Sequence, residues 1–390
     1  VLWWFGRDCD ADVHGYFIAR RLGESSHHAR IQSMRKATVM VMAGGTGGHI
    51  FPALAVARGL QAAGYDVVWL GADGGMETRI VPPTGITLET IAIKGVRGNG
   101  IKRKLMLPLT LASNIRAVRS IIKKHQVKAL IGFGGFVTFP GGMGGKLSGL
   151  PLTIHEQNAI AGLSNKVLSR YAKRVLYAFP HVFPNADGLV GNPVRADIVA
   201  MPAPAERFAG RTGRLRLLVV GGSLGAKVFN DVVPQALALL PEAQRPSVTH
   251  QSGRNKLQDL QQSYASLGLE AQCVEFIDDM VAAYAEADVI VCRAGALTVA
   301  ELAAAGLGAI FVPYPHAVDD HQTHNAKVLV NAEAAISVPQ GEFNAQHLVD
   351  LLQKLDRPNC LQWAEQARKQ ALPDAAKLTA QAVISTIAAD

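Results

Sequence analysis

The stretch Thr38–Ala63, TVMVMAGGTGGHIFPALAVARGLQAA, decides the fold class. Its first part, Thr38–Ala43, is an apolar run that predicts a buried strand; glycines follow, and Pro52–Ala63 has the pattern of a helix. Strand, glycine loop and helix in this order form the repeating unit of a parallel sheet. We expect such a sheet, covered by helices on both faces, because further strands are predicted at Asp66–Leu70, Ala129–Ile131 and Leu152–His155.

The same unit occurs a second time at Arg214–Ala226, RLRLLVVGGSLGA. Between the two copies, Met201–Gly213 is rich in Pro, Ala and Gly, which is typical of an inter-domain linker. We therefore predict an α/β protein with two Rossmann-like domains whose parallel sheets face an inter-domain cleft. The domains are expected at residues 34–200 and 214–373, and the helical pattern of residues 374–390 is expected to return to the first domain.

The charge of the chain is unevenly distributed. Of the 390 residues, 49% are hydrophobic and 18% are charged, which suits two packed cores and argues against disorder. The net charge is +8, but residues 1–200 hold 24 Lys/Arg against 11 Asp/Glu, whereas residues 201–390 hold 15 against 20. A basic first half predicts an anionic partner, such as nucleic acid, a membrane surface or a phosphorylated substrate.

Cysteine usage and hydropathy indicate the compartment. The four cysteines, Cys9, Cys273, Cys292 and Cys360, lie far apart without metal-site spacing, as is typical of free thiols in a reducing environment. No apolar run reaches the roughly 18–20 residues of a membrane span. We therefore expect a soluble or peripherally attached protein. Residues 1–33 lack the pattern of a signal peptide, and we predict a disordered extension before a natural start at Met34.

The glycine loops predict phosphate-binding sites at the carboxyl ends of strands. A strand, a glycine-rich turn and a helix start present backbone N–H groups to an anion. In the first loop, Gly44–His49, a G-x-G-x-x-G match would place Ile50 at the third glycine, so a dinucleotide site is disfavoured, although Asp73 keeps that alternative open. A third glycine cluster, Gly132–Gly142, follows a strand of the same domain. Three such loops place the chemistry in the cleft.

Seven motifs in this order make the chain similar to a known family. They are Gly44–His49 (GGTGGH), His155–Asn158 (HEQN), Gly191–Arg195 (GNPVR), Gly221–Gly225 (GGSLG), Phe276–Met280 (FIDDM), Arg293–Glu301 (RAGALTVAE) and Gln322–Ala326 (QTHNA). From about Arg35 to its end the chain resembles the MurG family, the N-acetylglucosaminyltransferases that complete the lipid-linked peptidoglycan precursor.

This resemblance implies a GT-B fold and an inverting transfer that needs no metal or other cofactor. The donor would be UDP-GlcNAc, and the acceptor hydroxyl would be C4 of undecaprenyl-pyrophosphoryl-MurNAc-pentapeptide, so that lipid I becomes lipid II. The implied location is peripheral, on the cytoplasmic face of the inner membrane. Anionic lipid and other cell-wall synthesis proteins would be partners in cell-wall biogenesis, cell shape and division; nucleic acid would not.

The second domain is expected to hold the donor. Free N–H groups where Ala296 opens a helix would stabilise the charge that grows on UDP. Glu301 would accept hydrogen bonds from the ribose hydroxyls, Arg195 would pair with phosphate oxygens, and Gln322 or His321 would contact the sugar. The full set of expected donor contacts is Thr46, Gly47, Gly48, Asn158, Arg195, Ser223, Ile277, Ala296, Leu297, Thr298, Val299, Ala300, Glu301 and Gln322. A solvated helix glutamate is the alternative for Glu301, and a core position for Ile277.

The first domain is expected to hold the acceptor and the base. The acceptor diphosphate would lie against backbone N–H groups of the glycine loops, with Thr46, Gly47, Gly48, Gly134 and Gly135 as candidates. His49 is the candidate general base, because it ends the first loop at the cleft and histidine exchanges protons near neutral pH. A helix-capping or phosphate-binding role is the alternative for His49. Glu156 is expected to brace its loop.

The charge asymmetry concentrates in one segment that predicts membrane contact. Cations and apolar side chains alternate there, which is what binding to anionic lipid requires. The predicted patch comprises Lys94, Arg97, Ile101, Lys102, Arg103, Lys104, Leu105 and Leu107. A solvated basic loop is the alternative. Nucleic acid is disfavoured because no aromatic residues interleave with these charges to stack on bases.

Two other functions remain open from the residues alone. A UDP-GlcNAc epimerase of similar fold would require acids in the cleft and no membrane patch, and a nicotinamide-dependent oxidoreductase would require an intact dinucleotide loop. The chain departs from the MurG pattern at Leu224, where some members carry Gln, and around Tyr314–Gln322, which is slightly longer than in some relatives.

Overall fold

The computed structural model describes residues 36–93, 101–183, 188–222 and 225–387; the side chains of Lys36, Val318 and residues 101–107 lie outside this description. Two six-stranded sheets are present, and every strand pair in them is parallel. Residues 1–33, Lys94, Arg97, Ser223 and Leu224 fall outside the described residues, so the predictions made for them remain predictions.

The first sheet has the strand order β3-β2-β1-β4-β5-β6. Its strands are β1 (Lys36–Met42), β2 (Tyr65–Ala72), β3 (Thr87–Ile91), β4 (Val127–Gly132), β5 (Leu152–Glu156) and β6 (Arg174–Tyr177). The strand order reverses between β1 and β4, and the loops that follow these two strands are the first and third glycine loops. The switch point of an open parallel sheet is where such folds bind ligands.

The second sheet repeats this plan with the order β12-β11-β10-β7-β8-β9. Its strands are β7 (Arg216–Val220), β8 (Ser247–Gln251), β9 (Gln272–Val274), β10 (Val289–Cys292), β11 (Gly308–Phe311) and β12 (Ala335–Ser337). The switch point lies between β7 and β10, and the segments that follow them are Gly221–Gly225 and Arg293–Gly295.

Helices cover both faces of the sheets. They are α1 (Gly47–Ala62), α2 (Glu77–Ile80), α3 (Ile101–Lys124), α4 (Thr138–Leu147), α5 (Leu163–Leu168), α6 (Ala196–Val199), α7 (Pro204–Phe208), α8 (Lys227–Leu239), α9 (Leu257–Ser266), α10 (Met280–Glu286), α11 (Ala296–Ala305), α12 (His321–Asn331), α13 (Ala345–Leu352), α14 (Arg357–Lys369) and α15 (Ala375–Ile387). Helix α1 begins at Gly47, before the predicted start at Pro52, which lies inside the helix.

The apolar run of β1 divides between two cores. Val39 and Val41 pack with α1 on one face of the sheet, whereas Met40 and Met42 pack on the other face with residues of α3 and β5. Alternate side chains of a strand point to opposite faces. A strand with helices on both faces therefore needs the continuous apolar sequence seen here rather than an alternating one.

The segment Met201–Gly213 packs onto the second domain and includes α7. The Arg207 guanidinium donates to the carbonyl oxygens of Tyr284 and Ala305. Arg211 pairs with the buried carboxylate of Asp288, with 2.5 Å between Nη1 and Oδ1. Because buried cations require such acceptors, these contacts hold the second half of the segment on the second domain.

Helix α15 lies on the first domain. Its Ala380 and Val383 belong to the same buried cluster as Val56 and Leu60 of α1. The chain therefore crosses back from the second domain, and a second covalent connection links the two halves near the cleft.

Gly135 connects the first and third glycine loops by close backbone approach. Its φ is +80°, and a Cβ there would collide with the carbonyl oxygen of Gly44. Only glycine tolerates both constraints. The third loop therefore lies directly against the first.

We expect Gly135→Ala to destabilise the protein more than a substitution at a comparable glycine without the contact. Gly74 also has positive φ, at +68°, but a Cβ there meets nothing within 4 Å. Gly74→Ala should cost about 1–2 kcal/mol, the backbone penalty alone, and Gly135→Ala should exceed it because a steric collision is added. Thermal unfolding measures both; equal losses would contradict the close approach.

Candidate active site

The first glycine loop is held from beneath by a buried carboxylate. Glu77 on α2 is 0% exposed, and its oxygens accept hydrogen bonds from the N–H groups of Gly45 at 3.2 Å and Ala72 at 2.7 Å. Cβ atoms on Gly44, Gly71 or Gly75 would collide with this side chain. Glycines are therefore needed at these positions to leave space for the Glu77 side chain, which fixes the loop. Glu77 was not predicted from the sequence.

The candidate acceptor residues of the two glycine loops lie together. Thr46 and Gly48 are exposed at the start of α1, Gly47 is half-buried, and the first turn of this helix has no acidic residue. Gly135 lies against Gly44. The positive end of α1 is thus open to an anion beside the third loop, as binding of a diphosphate requires.

His49 is half-buried on the floor of this region. Its Nδ1 lies 2.9 Å from Oε1 of Gln157, and a Cβ on Gly134 would lie 3.0 Å from its Cε1. The ring is therefore held on the surface of the third loop. Gln157 is 1% exposed, and its place in the HEQN motif did not indicate this contact.

Glu156 organises the loop that follows β5. This buried carboxylate accepts hydrogen bonds from the N–H groups of Asn158 and Gly162, both at 3.0 Å, and from Nδ2 of Asn165 at 2.9 Å. All of these donors are uncharged, and they lie in this loop or in α5, which follows it. Such a carboxylate shapes the backbone.

Two buried asparagines join the first domain to the second. Nδ2 of Asn192 donates to the carbonyl oxygens of Gln157 at 3.0 Å and Ala296 at 3.2 Å. Asn325 of α12 accepts from the N–H of Ala159 at 2.8 Å, and its Nδ2 lies 3.3 Å from Oδ1 of Asn158. The loop after β5 is therefore tied to the start of α11.

Glu301 lies on α11 in a nearly closed environment, not in solvent. Its side chain is 13% exposed, and Oε1 lies 3.9 Å from Nε of Arg195. The Tyr284 hydroxyl donates to Oε2 at 3.1 Å. Burial raises the pKa of Glu301 to about 7, against the lowering effects of Arg195 and of this hydrogen bond. Tyr284 was not identified from the sequence.

The remaining expected donor contacts divide by position. Ala296 opens α11, and half-buried Thr298 follows in its first turn. Leu297, Ala300 and Ile277 are partly buried against the core that contains Tyr284 and Ala296. Val299 has its side chain in that core and its N–H bonded to the Gly295 carbonyl, and its contact with the donor remains a prediction.

The side chain of Gln322, in the first turn of α12, bonds the loop that precedes this helix. Its Oε1 accepts a hydrogen bond from the N–H of Tyr314 at 2.9 Å. The side chain therefore fixes the Tyr314–Gln322 loop, and its sugar contact remains a prediction. His321 is half-buried beside it.

Metal-binding clusters and membrane-spanning helices are both absent from the part of the chain that the structure describes. Across residues 36–93, 101–183, 188–222 and 225–387, no group of three or more His, Cys, Asp or Glu side chains could hold a metal ion. Within the same part of the chain, no helix is both long and apolar enough to cross a membrane.

The raised pKa of Glu301 predicts that Glu301→Gln stabilises the folded protein above pH 7. The folded pKa of about 7 exceeds the ordinary value of 4.5, so the folded state binds more protons between these values and stability falls as pH rises through 7. At pH 8 we expect Tm to rise by roughly 2–4 °C, the effect of about 1 kcal/mol in a domain of 150–250 residues. At pH 5 no gain is expected.

Glu89→Gln is the matched control, measured by the same calorimetry. Hydrogen bonds from Lys124 and His125 lower the pKa of Glu89, so its carboxylate stabilises the folded state above the ordinary pKa, and its loss should lower Tm at pH 8. If Glu301→Gln changes Tm equally at pH 5 and pH 8, the assigned burial of charge is wrong.

Comparisons with known proteins agree with this architecture. The models of the glycosyltransferase family 28 N-terminal and C-terminal domains match residues 39–177 and 216–380. A crystal structure of Acinetobacter baumannii MurG superposes with a TM-score of 0.80 and 42% identity, covering 90% of this chain and 100% of that one.

Curated relatives carry one name, UDP-N-acetylglucosamine--N-acetylmuramyl-(pentapeptide) pyrophosphoryl-undecaprenol N-acetylglucosamine transferase. The protein of Neisseria gonorrhoeae (strain NCCP11945) is 64% identical over 351 residues, covering 90% of this chain and 99% of the relative. That of Dechloromonas aromatica (strain RCB) is 52% identical over 344 residues, covering 88% and 97%. The epimerase and oxidoreductase alternatives gain no support from these relatives.

The glycine loops at both switch points, the paired sheets and the two family-model matches lead to one assignment. The chain has the GT-B fold and is a hexosyltransferase that belongs to glycosyltransferase family 28 and, within it, to the MurG family.

Proposed function

We propose that this protein transfers N-acetylglucosamine from UDP-GlcNAc to the C4 hydroxyl of undecaprenyl-pyrophosphoryl-MurNAc-pentapeptide, converting lipid I to lipid II in peptidoglycan synthesis. The names of relatives at 64% and 52% identity support these substrates. The residues expected to contact the donor and the acceptor lie among the described residues, apart from the donor position Ser223.

One observation carries the proposal: a single amide bridges the two half-sites. Nδ2 of Asn192 hydrogen-bonds the Gln157 carbonyl at 3.0 Å and the Ala296 carbonyl at 3.2 Å. Gln157 contacts His49, the candidate base, and Ala296 opens α11, the candidate site of the donor diphosphate. Reaction between two bound substrates requires such proximity, because correct placement lowers the barrier without new chemistry.

The reaction assigns a task to each side. The acceptor hydroxyl loses its proton to His49 as its oxygen bonds to the anomeric carbon, and the bond from that carbon to the UDP oxygen breaks with its electron pair on UDP. Glu301 accepts hydrogen bonds from the ribose hydroxyls. Because burial deprives this carboxylate of hydrogen bonds from water, hydrogen bonds from the ribose hydroxyls stabilise it.

The charge that develops on UDP is stabilised by the N-terminus of α11 together with Arg195, which is 38% exposed beside Glu301. N–H groups at a helix start and a guanidinium fork are both suited to phosphate oxygens. We therefore propose that the transfer requires neither a divalent metal nor another cofactor.

The first experiment follows radiolabelled N-acetylglucosamine from UDP-GlcNAc to a short-chain lipid-linked muramyl-pentapeptide in the presence of EDTA. We expect EDTA-resistant transfer by the wild type. Glu301→Ala should raise the donor KM by roughly 10-fold or more, since a hydrogen bond to a charged group contributes about 1.5–3 kcal/mol.

Glu365→Ala, which removes an exposed carboxylate from α14 of the same domain, is the control and should leave the donor KM unchanged. Folded wild-type protein that transfers no sugar would overturn the proposed reaction. Transfer that EDTA abolishes and added Mg²⁺ restores would leave the reaction intact and overturn its metal independence.

We also propose that the first domain binds anionic lipid peripherally at the cytoplasmic face of the inner membrane. Helix α3 contains no Asp or Glu over Ile101–Lys124, and its Arg116 and Arg119 are exposed. Leu147 on the neighbouring helix α4 is 56% exposed and Tyr171, after α5, is 46% exposed, and Nζ of Lys146 lies 3.2 Å from the centre of the Tyr171 ring. Exposed apolar groups beside cations suit an interfacial site.

Sedimentation with vesicles containing phosphatidylglycerol tests this proposal. Removing the three basic side chains that begin α3, in the variant Lys102→Ala, Arg103→Ala, Lys104→Ala, should weaken vesicle binding about 100-fold at low salt, from about 1 kcal/mol per basic residue. Replacing three exposed cations of the second domain, Arg254, Lys354 and Lys369, by Ala is the control. Equal effects of the two triple variants would contradict a site on the first domain.

A further inference from the structure

A line of hydrogen bonds runs from the main chain at Gly191 to the ring of His49. His155 Nε2 lies 2.9 Å from the Gly191 carbonyl oxygen. Its other ring nitrogen, Nδ1, lies 3.0 Å from Nε2 of Gln157, which also lies 3.0 Å from the His155 carbonyl oxygen. Oε1 of Gln157 then meets Nδ1 of His49 at 2.9 Å. Two histidine rings are thus connected through one amide.

The direction of each hydrogen bond follows from groups that can only accept. A carbonyl oxygen accepts, so His155 must carry its proton on Nε2 to bond Gly191, and its Nδ1 is then an acceptor. Both N–H groups of the Gln157 amide point to acceptors, Nδ1 and the carbonyl oxygen of His155. Its oxygen is left facing His49, so Nδ1 of His49 must be the donor.

The opposite orientation of the amide is excluded by the same partners. Turning Gln157 over would place its oxygen against the His155 carbonyl oxygen, and two acceptors would face each other in a buried position, at a cost of about 1–3 kcal/mol. Burial also lowers the pKa of His155 to about 4, so this ring is neutral at physiological pH and its Nδ1 keeps the lone pair.

Packing prevents the chain of hydrogen bonds from rearranging. The ring of Phe133 stacks on His155 with centroids 5.4 Å apart and planes at 30°. Nδ2 of Asn165 donates to the His155 carbonyl at 3.2 Å, and Asn192 donates to the Gln157 carbonyl. Rings and main chain are therefore held from several sides, and Gln157 has one orientation.

We propose that Gln157 is a positioning residue that holds His49 in the tautomer with its proton on Nδ1, which leaves the Nε2 lone pair to take the proton of the acceptor hydroxyl. The inference rests on the proposed function, in which His49 is the base. When the proton arrives at Nε2, the Nδ1–H is already bonded to Gln157, so the imidazolium forms without reorientation. Enzymes that use histidine as a base require a third group with this task.

The tautomer of His49 is measurable without substrate. In long-range ¹H–¹⁵N spectra of protein labelled with ¹⁵N-histidine, the shifts of the two ring nitrogens report which one carries the proton, and the His49→Gln variant assigns the signals. We expect the wild type to carry the proton on Nδ1 of His49, and Gln157→Met to show a mixture or the Nε2–H form. Methionine keeps the length of the side chain but cannot accept from Nδ1.

Kinetics of the same variant give a second readout. In the transfer assay, Gln157→Met should lower kcat by roughly 10- to 100-fold, part of the 10²–10⁴ that a positioned base contributes, with the donor KM within about twofold of the wild type. Asn165→Leu is the control: it removes a buried amide bonded to the same loop without touching His49, so it should lower stability and leave the tautomer unchanged.

The outcomes separate this inference from the proposed function. A wild-type His49 with its proton on Nε2 overturns the inference directly, even if every variant of Gln157 fails to fold. An unchanged tautomer in folded Gln157→Met overturns it as well. Absence of transfer by wild-type protein whose His49 carries the proton on Nδ1 overturns the proposed reaction and leaves the role of Gln157 in holding the ring.

Discussion

The arrangement of the cleft depends on amide hydrogen bonds that cross between the two domains. Asn192 and Asn325 are each at most 4% exposed, and each bonds main-chain groups of both domains. Exchange of water for protein partners leaves a net gain of only about 0.5–1.5 kcal/mol per hydrogen bond, whereas a buried amide left without its partner costs about 1–3 kcal/mol. These bonds therefore select one alignment of the strand ends more than they add to stability.

Two buried carboxylates, Glu77 of the first domain and Glu301 of the second, have opposite hydrogen-bond environments. Glu77 receives two main-chain hydrogen bonds and closes the space beneath the first glycine loop. Among the described residues, Glu301 receives one, from the Tyr284 hydroxyl, and its nearest cation is Arg195 at 3.9 Å. A carboxylate satisfied by main-chain donors is a structural anchor. One with few partners still has acceptor positions for ligand hydroxyls, and burial, which Arg195 and Tyr284 only partly offset, raises the pKa of Glu301.

The sequence alone predicted those features of the fold that depend on a single short segment. Apolar runs predicted β1 and β7, and glycines placed the loops at the strand ends, because each signal lies within one segment. Helix α1 was placed too late because Pro52 reads as a first helical residue, whereas here the glycines before it are already helical.

The contacts that the sequence did not reveal join residues that are distant along the chain. Glu77 meets Gly45 across 32 positions, and Gln157 meets His49 across 108. A lone glutamate or glutamine carries no local sign of its partner, so Gln157 was visible only as a member of a motif. Tyr284 resembles any core aromatic residue until the fold brings its hydroxyl to Glu301.

A neutral glutamine at position 157, in place of an acidic residue, suits the negatively charged substrates of the proposed reaction. Both proposed substrates carry a diphosphate, and we place the acceptor diphosphate at the start of α1, whose first turn contains His49. A carboxylate at position 157 would raise the basicity of His49 but would repel these anions and would itself have to be desolvated. A neutral amide controls the tautomer without that repulsion. The neighbouring carboxylate, Glu156, accepts hydrogen bonds from Asn158, Gly162 and Asn165, whereas the side-chain partner of His49 is the neutral amide of Gln157.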